Sequence, residues 1–314
     1  MMNTICVDWL TFTSHCDSTT SVISMLGLES VEFMEAAHGR NGYKQMLTFQ
    51  NISILYDGRD GMGLCVDMSG NGCRTFEEYS TTTWDSLFST LLSDSESYNI
   101  TRLDAAYDDR TGILDIDVLR DDSDDHHYVS RSRTWEVDYG SAGTTIYHGS
   151  KKSDMLIRIY DKAAEQGHDD EHWIRVELQM RDQNAAGFAR SIESQGLGTT
   201  FLGVLRNYLR YVTPVSDLNM SRWPETDYWK NLCQDVSHIR VWSCPGINYT
   251  FANLQHYVID QVGNALDTYV HIFGVDDLIY QLGKRSIRLS PKYQKLRQQY
   301  DDLVSKHVKN SKEE

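Results

Sequence analysis

Three segments of the chain place polar residues at every second position, with apolar residues between them. Side chains on a β-strand point alternately to the two faces of the sheet, so each segment predicts a strand with one apolar and one polar face. The apolar face can pack into a core, while the polar face collects carboxylates, arginines, a tyrosine and a lysine. The segments are Arg102-x-Asp104, Arg158-x-Tyr160-x-Lys162 and Arg175-x-Glu177-x-Gln179.

The rest of the pattern predicts an α+β protein, with a mainly antiparallel sheet, helices packed on its outer face and an α-helical C-terminal region. The order of strand, helix, several strands and helix occurs twice, which suggests an internally duplicated unit, although no residue-level repeat is visible. Strands are predicted at 4–13, 42–49, 52–57, 63–68, 101–108, 134–139, 144–148, 155–161 and 173–180. Helices are predicted at 18–26, 83–93, 113–119, 184–193, 201–211, 226–236, 249–273 and 291–308.

A change of character near residue 197 predicts two regions. Three of the four prolines lie between residues 199 and 250, and helical spacing dominates from there to the C-terminus. We therefore expect one domain at 1–197 and a helical region with a basic tail at 198–314.

The net charge of −15 argues against a general nucleic-acid binder, because phosphate neutralisation normally needs clustered Lys and Arg. The charge is unevenly distributed, since acidic residues concentrate at 94–125 and basic residues near the C-terminus. A polarised molecule of this kind can be acidic overall and still bind DNA at one end. The basic residues expected to contact DNA there are Lys284, Arg285, Arg288 and Lys292.

No segment approaches the roughly 20 apolar residues of a membrane helix, and the N-terminus lacks the basic region of a signal peptide. The six cysteines show no CxxC spacing, so neither a zinc site nor a disulfide framework is indicated. We expect a cytoplasmic protein with reduced cysteines and no membrane contact.

Tyr160 is the candidate nucleophile, because a phenol placed among cations on a strand face can attack a phosphorus atom and form a covalent intermediate. Its ordinary pKa near 10 requires help with proton loss, which Arg158, Lys162 and a metal ion on the phosphate would provide. The alternative is that Tyr160 only packs its ring in the sheet. Tyr147, in the preceding strand, is the second candidate.

Asp104 and Glu177 are the candidate ligands of Mg²⁺ or Mn²⁺, with Asp8 as a third. These ions prefer oxygen ligands and keep several waters, so two or three carboxylates and a substrate phosphate suffice. The alternative is that Asp104 and Glu177 form structural salt bridges with Arg102 and Arg175. Together with a tyrosine and phosphate-binding arginines, these carboxylates suggest DNA strand cleavage.

Arg158, Lys162, Arg175 and Arg181 are candidates for phosphate contacts, since arginine binds phosphate bidentately and lysine acts as a point charge. A solvated strand face is their alternative role, and Arg175 could serve only to position Glu177. His126 and His127 are adjacent within an acidic run, which indicates a solvated loop rather than a metal motif.

The segment at 69–74, Ser-Gly-Asn-Gly-Cys-Arg, is predicted to be a tight turn in which Gly70 and Gly72 supply positive φ. It lacks the Gly-Lys-Ser/Thr ending of a phosphate-binding loop, so nucleotide hydrolysis is not expected. Arg74 is a candidate to support the site.

Six motifs in order resemble the plasmid rolling-circle replication initiators of the Rep_trans family, to which relaxases of conjugative elements are related. The helical end, with Tyr228-Trp229, the helix around 255–273 and the basic tail, is similar as well, so the resemblance spans nearly the whole chain. The motifs lie at 7–12, 69–74, 102–104, 144–154, 157–162 and 175–177.

The resemblance implies a site-specific nicking and closing enzyme that cuts one strand at a double-strand origin of a plasmid or phage. It implies a 5′ phosphotyrosine link, a free 3′-hydroxyl primer and later rejoining of the strand. It also implies a homodimer that recruits a host replicative helicase. On this view residues 1–197 are the nicking and closing domain, and 198–314 bind the origin and dimerise.

Two other functions remain open. A relaxase for conjugative transfer would use the same chemistry, but related relaxases often carry an additional N-terminal module, and no room for one is expected before Val7. A non-enzymatic DNA-binding regulator would retain the basic tail without needing Tyr160 or the carboxylates.

Overall fold

The computed structural model describes residues 2–140, 143–167, 171–238, 251–256, 258–259, 262–284, 296–298 and 300–301. Its strands are β1 (Thr4–Ser14), β2 (Met34–Glu35), β3 (Gln45–Phe49), β4 (Ile52–Tyr56), β5 (Leu64–Met68), β6 (Tyr98–Asp109), β7 (Tyr128–Ser130), β8 (Trp135–Gly140), β9 (Gly143–His148), β10 (Met155–Asp161), β11 (Ile174–Arg181) and β12 (Leu209–Tyr211).

The helices alternate with groups of strands. They are α1 (Thr19–Met25), α2 (Gly70–Tyr79), α3 (Trp84–Ser93), α4 (Ile116–Asp124), α5 (Lys162–Gln166), α6 (Asp182–Gln195), α7 (Leu197–Tyr208), α8 (Asp227–His238), α9 (Phe251–His256), α10 (Gly263–Phe273) and α11 (Val275–Lys284).

In the described part of the chain, ten strands form one sheet in the order β2-β3-β4-β5-β1-β6-β11-β10-β9-β8, and β7 pairs with β12 separately. Every pairing in both sheets is antiparallel. Apolar residues of alternate strand positions and the buried sides of α2, α3, α6 and α7 share one core. The other face of the central strands is the open face, and it carries the polar residues. The predicted α+β class with a mainly antiparallel sheet is confirmed.

The sheet has two halves that meet between β1 and β6. From this seam outward, one half runs β1-β5-β4-β3-β2 and the other β6-β11-β10-β9-β8. In each half the first strand lies at the seam, the last strand beside it, and the remaining strands follow in reverse order. This repeated topology is the arrangement expected of a duplicated unit.

The segment at 69–74 differs from its prediction, because it forms the first turn of α2 rather than a tight turn. Neither Gly70 nor Gly72 has positive φ. Both are instead sites of close approach: a Cβ at Gly72 would lie 2.4 Å from the backbone oxygen of Asn51, and one at Gly70 would lie 3.1 Å from Oδ1 of Asp8. Lack of a side chain, rather than backbone freedom, explains these two glycines.

The chain divides into two compact units, residues 1–245 and 246–314. The boundary predicted at residue 197 falls where α6 is followed by α7, and α7 contributes Leu197, Phe201 and Leu205 to the core of the first unit. The functional division at 197 remains a prediction. Most of the predicted basic tail lies outside the described residues, which contain no helix long and apolar enough to cross a membrane.

Candidate active site

The register of β6, β11 and β10 brings the three alternating segments side by side. Arg158 pairs with Glu177, and Tyr160 pairs with Arg175. On the other side of β11, Gln179 pairs with Asp104. Residues directly opposite in neighbouring strands lie on the same face of the sheet, so these side chains share the open face.

Asp8 joins this group through an irregularity in β1. The register with β6 shifts between Val7 and Trp9, so Asp8 has no direct partner in β6. A bulge of this kind re-aims side chains, and Asp8 lies 2.8 Å from Nη1 of Arg175, where its Oδ1 accepts a hydrogen bond. The site therefore extends across the seam between the two halves.

Arg158 bridges two carboxylates on neighbouring strands. Its Nη2 donates to Oε1 of Glu177 and lies 3.8 Å from Oδ2 of Asp104. Asp104 also accepts three hydrogen bonds from two nitrogens of Arg102, the shortest of them 2.6 Å long. Asp104 and Glu177 are 0% and 2% exposed, so these ion pairs lie in a region of low dielectric.

The phenol of Tyr160 donates a hydrogen bond of 3.3 Å to Oε2 of Glu177. Burial and the charge of Glu177 raise the pKa of Tyr160 well above its ordinary value, and Arg175 opposes this only in part. Help with proton loss from Arg158, Lys162 and a metal ion on the phosphate remains a prediction. Since burial disfavours the phenolate, Tyr160 is a neutral hydrogen-bond donor here.

Arg175 is occupied by two carboxylates rather than exposed for phosphate. Its Nε and Nη2 donate to Asp108 at 2.7 and 2.8 Å, and its Nη1 donates to Asp8. The indole of Trp173 also donates to Asp108, at 2.6 Å. A phosphate contact by Arg175 would break these bonds, so its geometry favours holding Asp8 and Asp108 in place.

The two remaining candidate cations lie at the ends of strands. Lys162 begins α5 and forms an ion pair with Glu165, and its Nζ lies 5.6 Å from the ring centroid of Tyr160. Arg181 is the last residue of β11, half-buried, and pairs with Arg102 across the strands. Lys162 is therefore beside Tyr160, while Arg181 lies at the far end of the site.

The candidate metal ligands Asp8, Asp104 and Glu177 lie on the neighbouring strands β1, β6 and β11. The described residues contain no group of three or more Asp, Glu, His or Cys side chains arranged to hold a metal ion. Asp104 and Glu177, however, share one cationic nitrogen of Arg158, so a positive charge already lies between them. Two carboxylates with waters and phosphate oxygens suit Mg²⁺ or Mn²⁺. The pair Asp104 and Glu177 fits such an ion, with Asp8 held aside by Arg175.

Burial governs the proton affinity of these carboxylates. It raises the pKa of Asp104 to about 7, with a contribution from Glu177, even though Arg102 and Arg158 oppose the rise. Burial also raises the pKa of Asp8, against the opposing charge of Arg175. Carboxyl groups with raised pKa values are typical of functional sites.

Three supporting residues were missed from the sequence. Arg102 stacks on Trp9, with 3.9 Å between its guanidinium carbon and the ring centroid. The indole nitrogen of Trp9 donates to Asp67 at 3.0 Å. Asp108, which binds Arg175, lies four residues beyond the alternating segment Arg102-x-Asp104 of β6. Continuing the period of two along β6 would have found Asp108, whereas no local pattern connects Trp9 or Asp67 to the site.

Arg74 supports the site through the backbone, since its Nη2 donates to the oxygen of Val7 at 2.6 Å and to Glu77 at 2.8 Å. Tyr147 lies opposite Arg158 on β9 and therefore on the open face, with Nζ of Lys151 4.8 Å from its ring centroid. It remains the second candidate nucleophile.

His148 and His126 lie away from the carboxylates of the site. His148 is buried and its Nε2 lies 3.0 Å from the hydroxyl of Tyr211, and burial lowers the pKa of His148 to about 3. His126 is exposed and follows the end of α4. Of the C-terminal cations, Lys284 ends α11 with its Nζ 4.3 Å from the ring centroid of Tyr280. Arg285, Arg288 and Lys292 lie outside the described residues.

Comparisons with known proteins agree with one another. Residues 98–282 match the model of a family described as replication initiation factor, and residues 4–91 match the rolling circle replication initiation protein N-terminal domain. A putative DNA relaxase, NicK, from Bacillus subtilis (strain 168) is 26% identical over 259 residues, 76% of this chain and 73% of that protein.

One solved structure is similar over most of the fold. The rolling circle replication initiator protein from Geobacillus stearothermophilus aligns with a TM-score of 0.72 and 34% sequence identity, over 76% of this chain and 98% of that one.

Proposed function

The chain belongs to the replication initiation factor family, as its motifs predicted, and from this premise we propose that it nicks and rejoins one strand of origin DNA. The proposed substrate is a double-strand origin of a plasmid or phage, with the scissile bond in single-stranded or hairpin DNA. The reaction is a transesterification that conserves the phosphodiester energy for rejoining.

Tyr160 is the proposed nucleophile. Its phenolic oxygen attacks the scissile phosphorus, a phosphotyrosine bond forms to the 5′ end, and the bond from phosphorus to the 3′ oxygen breaks. The 3′ oxygen takes up a proton and becomes the hydroxyl that primes synthesis. Rejoining reverses these steps, as the 3′-hydroxyl attacks the phosphotyrosine and releases the phenol.

Glu177 is positioned to receive the phenolic proton, because its Oε2 accepts the hydrogen bond from Tyr160. A positioned carboxylate can accept a proton during attack even when the phenol itself has a high pKa. Arg158 is the proposed phosphate-binding residue, since it lies on the same strand face two residues from Tyr160. Lys162 would add positive charge beside the phosphate.

Asp104 and Glu177 would hold Mg²⁺ or Mn²⁺, and Asp8 could join them only by leaving Arg175. The bound ion would polarise the scissile phosphate and stabilise the departing 3′ oxygen. Arg102 keeps the Asp104 carboxylate in place through three hydrogen bonds.

The observation that carries this proposal is the contact of Tyr160 with Glu177 beside Arg158, inside the segment that matches the family. The test uses supercoiled plasmid bearing the cognate origin, incubated with Mg²⁺ or Mn²⁺. Wild-type protein should give nicked circles with protein attached at the 5′ end, and Tyr160→Phe should give none.

Tyr139→Phe is the matched control, because Tyr139 is 63% exposed on β8. This variant should nick as wild type does. Normal nicking by Tyr160→Phe would refute the assignment, and its loss in Tyr147→Phe alone would transfer the role to Tyr147. Nicking that survives chelation would refute the metal roles of Asp104 and Glu177.

A relaxase for conjugative transfer is the second candidate function, favoured by the match to the putative relaxase. The same chemistry would then act at a transfer origin. Nicking assays of one protein preparation on a replication origin and on a transfer origin distinguish the two functions. A non-enzymatic regulator would bind origin DNA and leave it uncut.

A homodimer, a host replicative helicase as partner, a cytoplasmic location and DNA contacts by Arg181 and the C-terminal cations are further parts of the proposal. Sedimentation of the protein with and without origin DNA tests the dimer. Salt dependence of DNA binding tests the cations, because each lost phosphate contact should reduce the salt slope by about one.

A further inference from the structure

Three arginines on the open face are held in different ways. Arg175 donates from all three of its nitrogens and its side chain is 8% exposed. Arg102 donates from two nitrogens to Asp104 and stacks on Trp9. Arg158 donates only from Nη2, its Nε is buried without a hydrogen-bond partner among the described residues, and its side chain is 29% exposed. Of these three, Arg158 is held least completely and has the most open route to solvent.

Arg158 also occupies a particular place. Its Nη2 contacts Glu177 and lies 3.8 Å from Asp104, which are the two carboxylates proposed to hold the divalent ion. Two buried carboxylates repel each other unless a cation lies between them. The guanidinium of Arg158 therefore provides at this place one of the two positive charges that a divalent ion would provide.

We propose that Arg158 is an exchangeable cation, which neutralises Asp104 and Glu177 until a divalent ion takes their oxygens and then moves to the scissile phosphate. This inference rests on the proposed function and adds an order of events to it. The exchange leaves no charge unpaired, because the ion replaces the guanidinium between the carboxylates and the phosphate receives the guanidinium. Arginine suits the second position because it binds phosphate bidentately.

The exchange makes Arg158 an inhibitor of metal binding in the protein without DNA. When a ligand binds only to a minor conformation, its apparent affinity is reduced in proportion to the fraction of molecules in that conformation. Removing the guanidinium should therefore strengthen metal binding, although the same change should weaken nicking. A residue that merely stabilises the sheet would not produce these opposite effects.

The test measures Mn²⁺ binding by the full-length protein without DNA, using electron paramagnetic resonance of free Mn²⁺. Arg158→Met should bind Mn²⁺ about tenfold or more tightly than wild type and should nick origin plasmid more slowly. Adding a short single strand that contains the nick site should tighten Mn²⁺ binding by wild type but not by Arg158→Met. Arg206→Met is the matched control, because Arg206 forms an ion pair with Glu225, away from the site, and is half exposed.

Equal or weaker Mn²⁺ binding by folded Arg158→Met would overturn the exchange. If that variant does not fold, Arg158→Lys decides, since lysine keeps the charge but has one nitrogen to share. It should bind Mn²⁺ more tightly than wild type, and equal affinity would overturn the inference.

The two proposals fail differently. Tighter Mn²⁺ binding by Arg158→Met without any nicking by wild type would leave the exchange standing and refute the proposed function. Metal-dependent nicking by wild type, with unchanged Mn²⁺ affinity in the variant, would do the reverse.

Discussion

The two halves of the large sheet share a pairing order but differ in what they carry on the open face. In the half built from β1–β5, Arg40 and Asp67 form an ion pair with side chains 48% and 14% exposed. In the half built from β6 and β8–β11, Arg175 and Asp108 form a pair with both side chains 8% exposed. The same topology therefore supports a solvated polar surface in one half and a buried ionic cluster in the other.

Topology alone therefore does not create the site. Both halves contribute apolar strand residues to the common core, among them Ile52 and Ile54 of β4 and Ile157 and Ile159 of β10. What distinguishes the second half is the density of charged residues at alternate positions on adjacent strands. Because these charges are buried in a region of low dielectric, each interaction between them is stronger than in water. Losing one partner is correspondingly costly, since it leaves a buried charge unpaired.

The largest contrast should come from removing one arginine in each half. Arg175→Met leaves Asp8 and Asp108 buried without their main partner and should lower the free energy of unfolding by about 3–5 kcal/mol. Arg40→Met should cost at most about 1 kcal/mol, because Arg40 is half exposed and Asp67 keeps its hydrogen bonds from Trp9 and Thr11. Urea unfolding measures both, and similar losses in the two variants would contradict the distinction between the halves.

Next in size is the effect of neutralising a carboxylate. Glu177→Gln removes the proposed acceptor of the Tyr160 proton and should slow nicking by about 10²- to 10⁴-fold. Asp67→Asn, in the other half, removes a carboxylate bound by Arg40, Thr11 and Trp9 and should change the nicking rate little. Rates on supercoiled origin plasmid provide the measurement, and a comparable loss in Asp67→Asn would show that the first half contributes more to the active site than Asp8.

Replacing one glycine in a helix behind each half should give a smaller contrast. The two substitutions should change the stability of the protein in opposite directions. Gly72→Ala in α2 places a Cβ 2.4 Å from the Asn51 oxygen and should destabilise the protein by about 1–3 kcal/mol. Gly187→Ala in α6 meets nothing within 4 Å and should stabilise it by about 0.5–1 kcal/mol. Thermal unfolding tests both, and a stabilised Gly72→Ala would show that the close approach is relieved at little cost.

A further contrast is the dependence of stability on pH that Asp104 should produce at the seam. The pKa of Asp104 rises from 3.8 to about 7 on folding, so the folded protein binds this proton more tightly than the unfolded chain. Its stabilising contribution is therefore present below pH 4 and is lost as the pH rises towards 7. Urea unfolding between pH 5 and 8 should show wild type losing stability relative to Asp104→Asn. A constant difference would mean that Arg102 and Arg158 keep Asp104 ionised.

Much of the fold follows from local pattern. The period of two located β1, β6, β10 and β11 closely, because one face of each is buried and the other polar. The prediction of a turn at 69–74 was wrong, because two glycines indicate a turn only where the backbone needs their conformational freedom. At Gly72 the reason is instead the backbone oxygen of Asn51, which is brought near by folding.

The sequence by itself determined the α+β class, the residues that share the open face and the family to which the chain belongs, because alternation and ordered motifs are local properties. Tertiary structure alone decided which charges meet. It assigned Arg175 to Asp8 and Asp108, and it placed Arg158 between Asp104 and Glu177. Those partners lie between 19 and 167 residues apart in the chain and are set by strand order and register, and burial then gives each pairing its energetic weight.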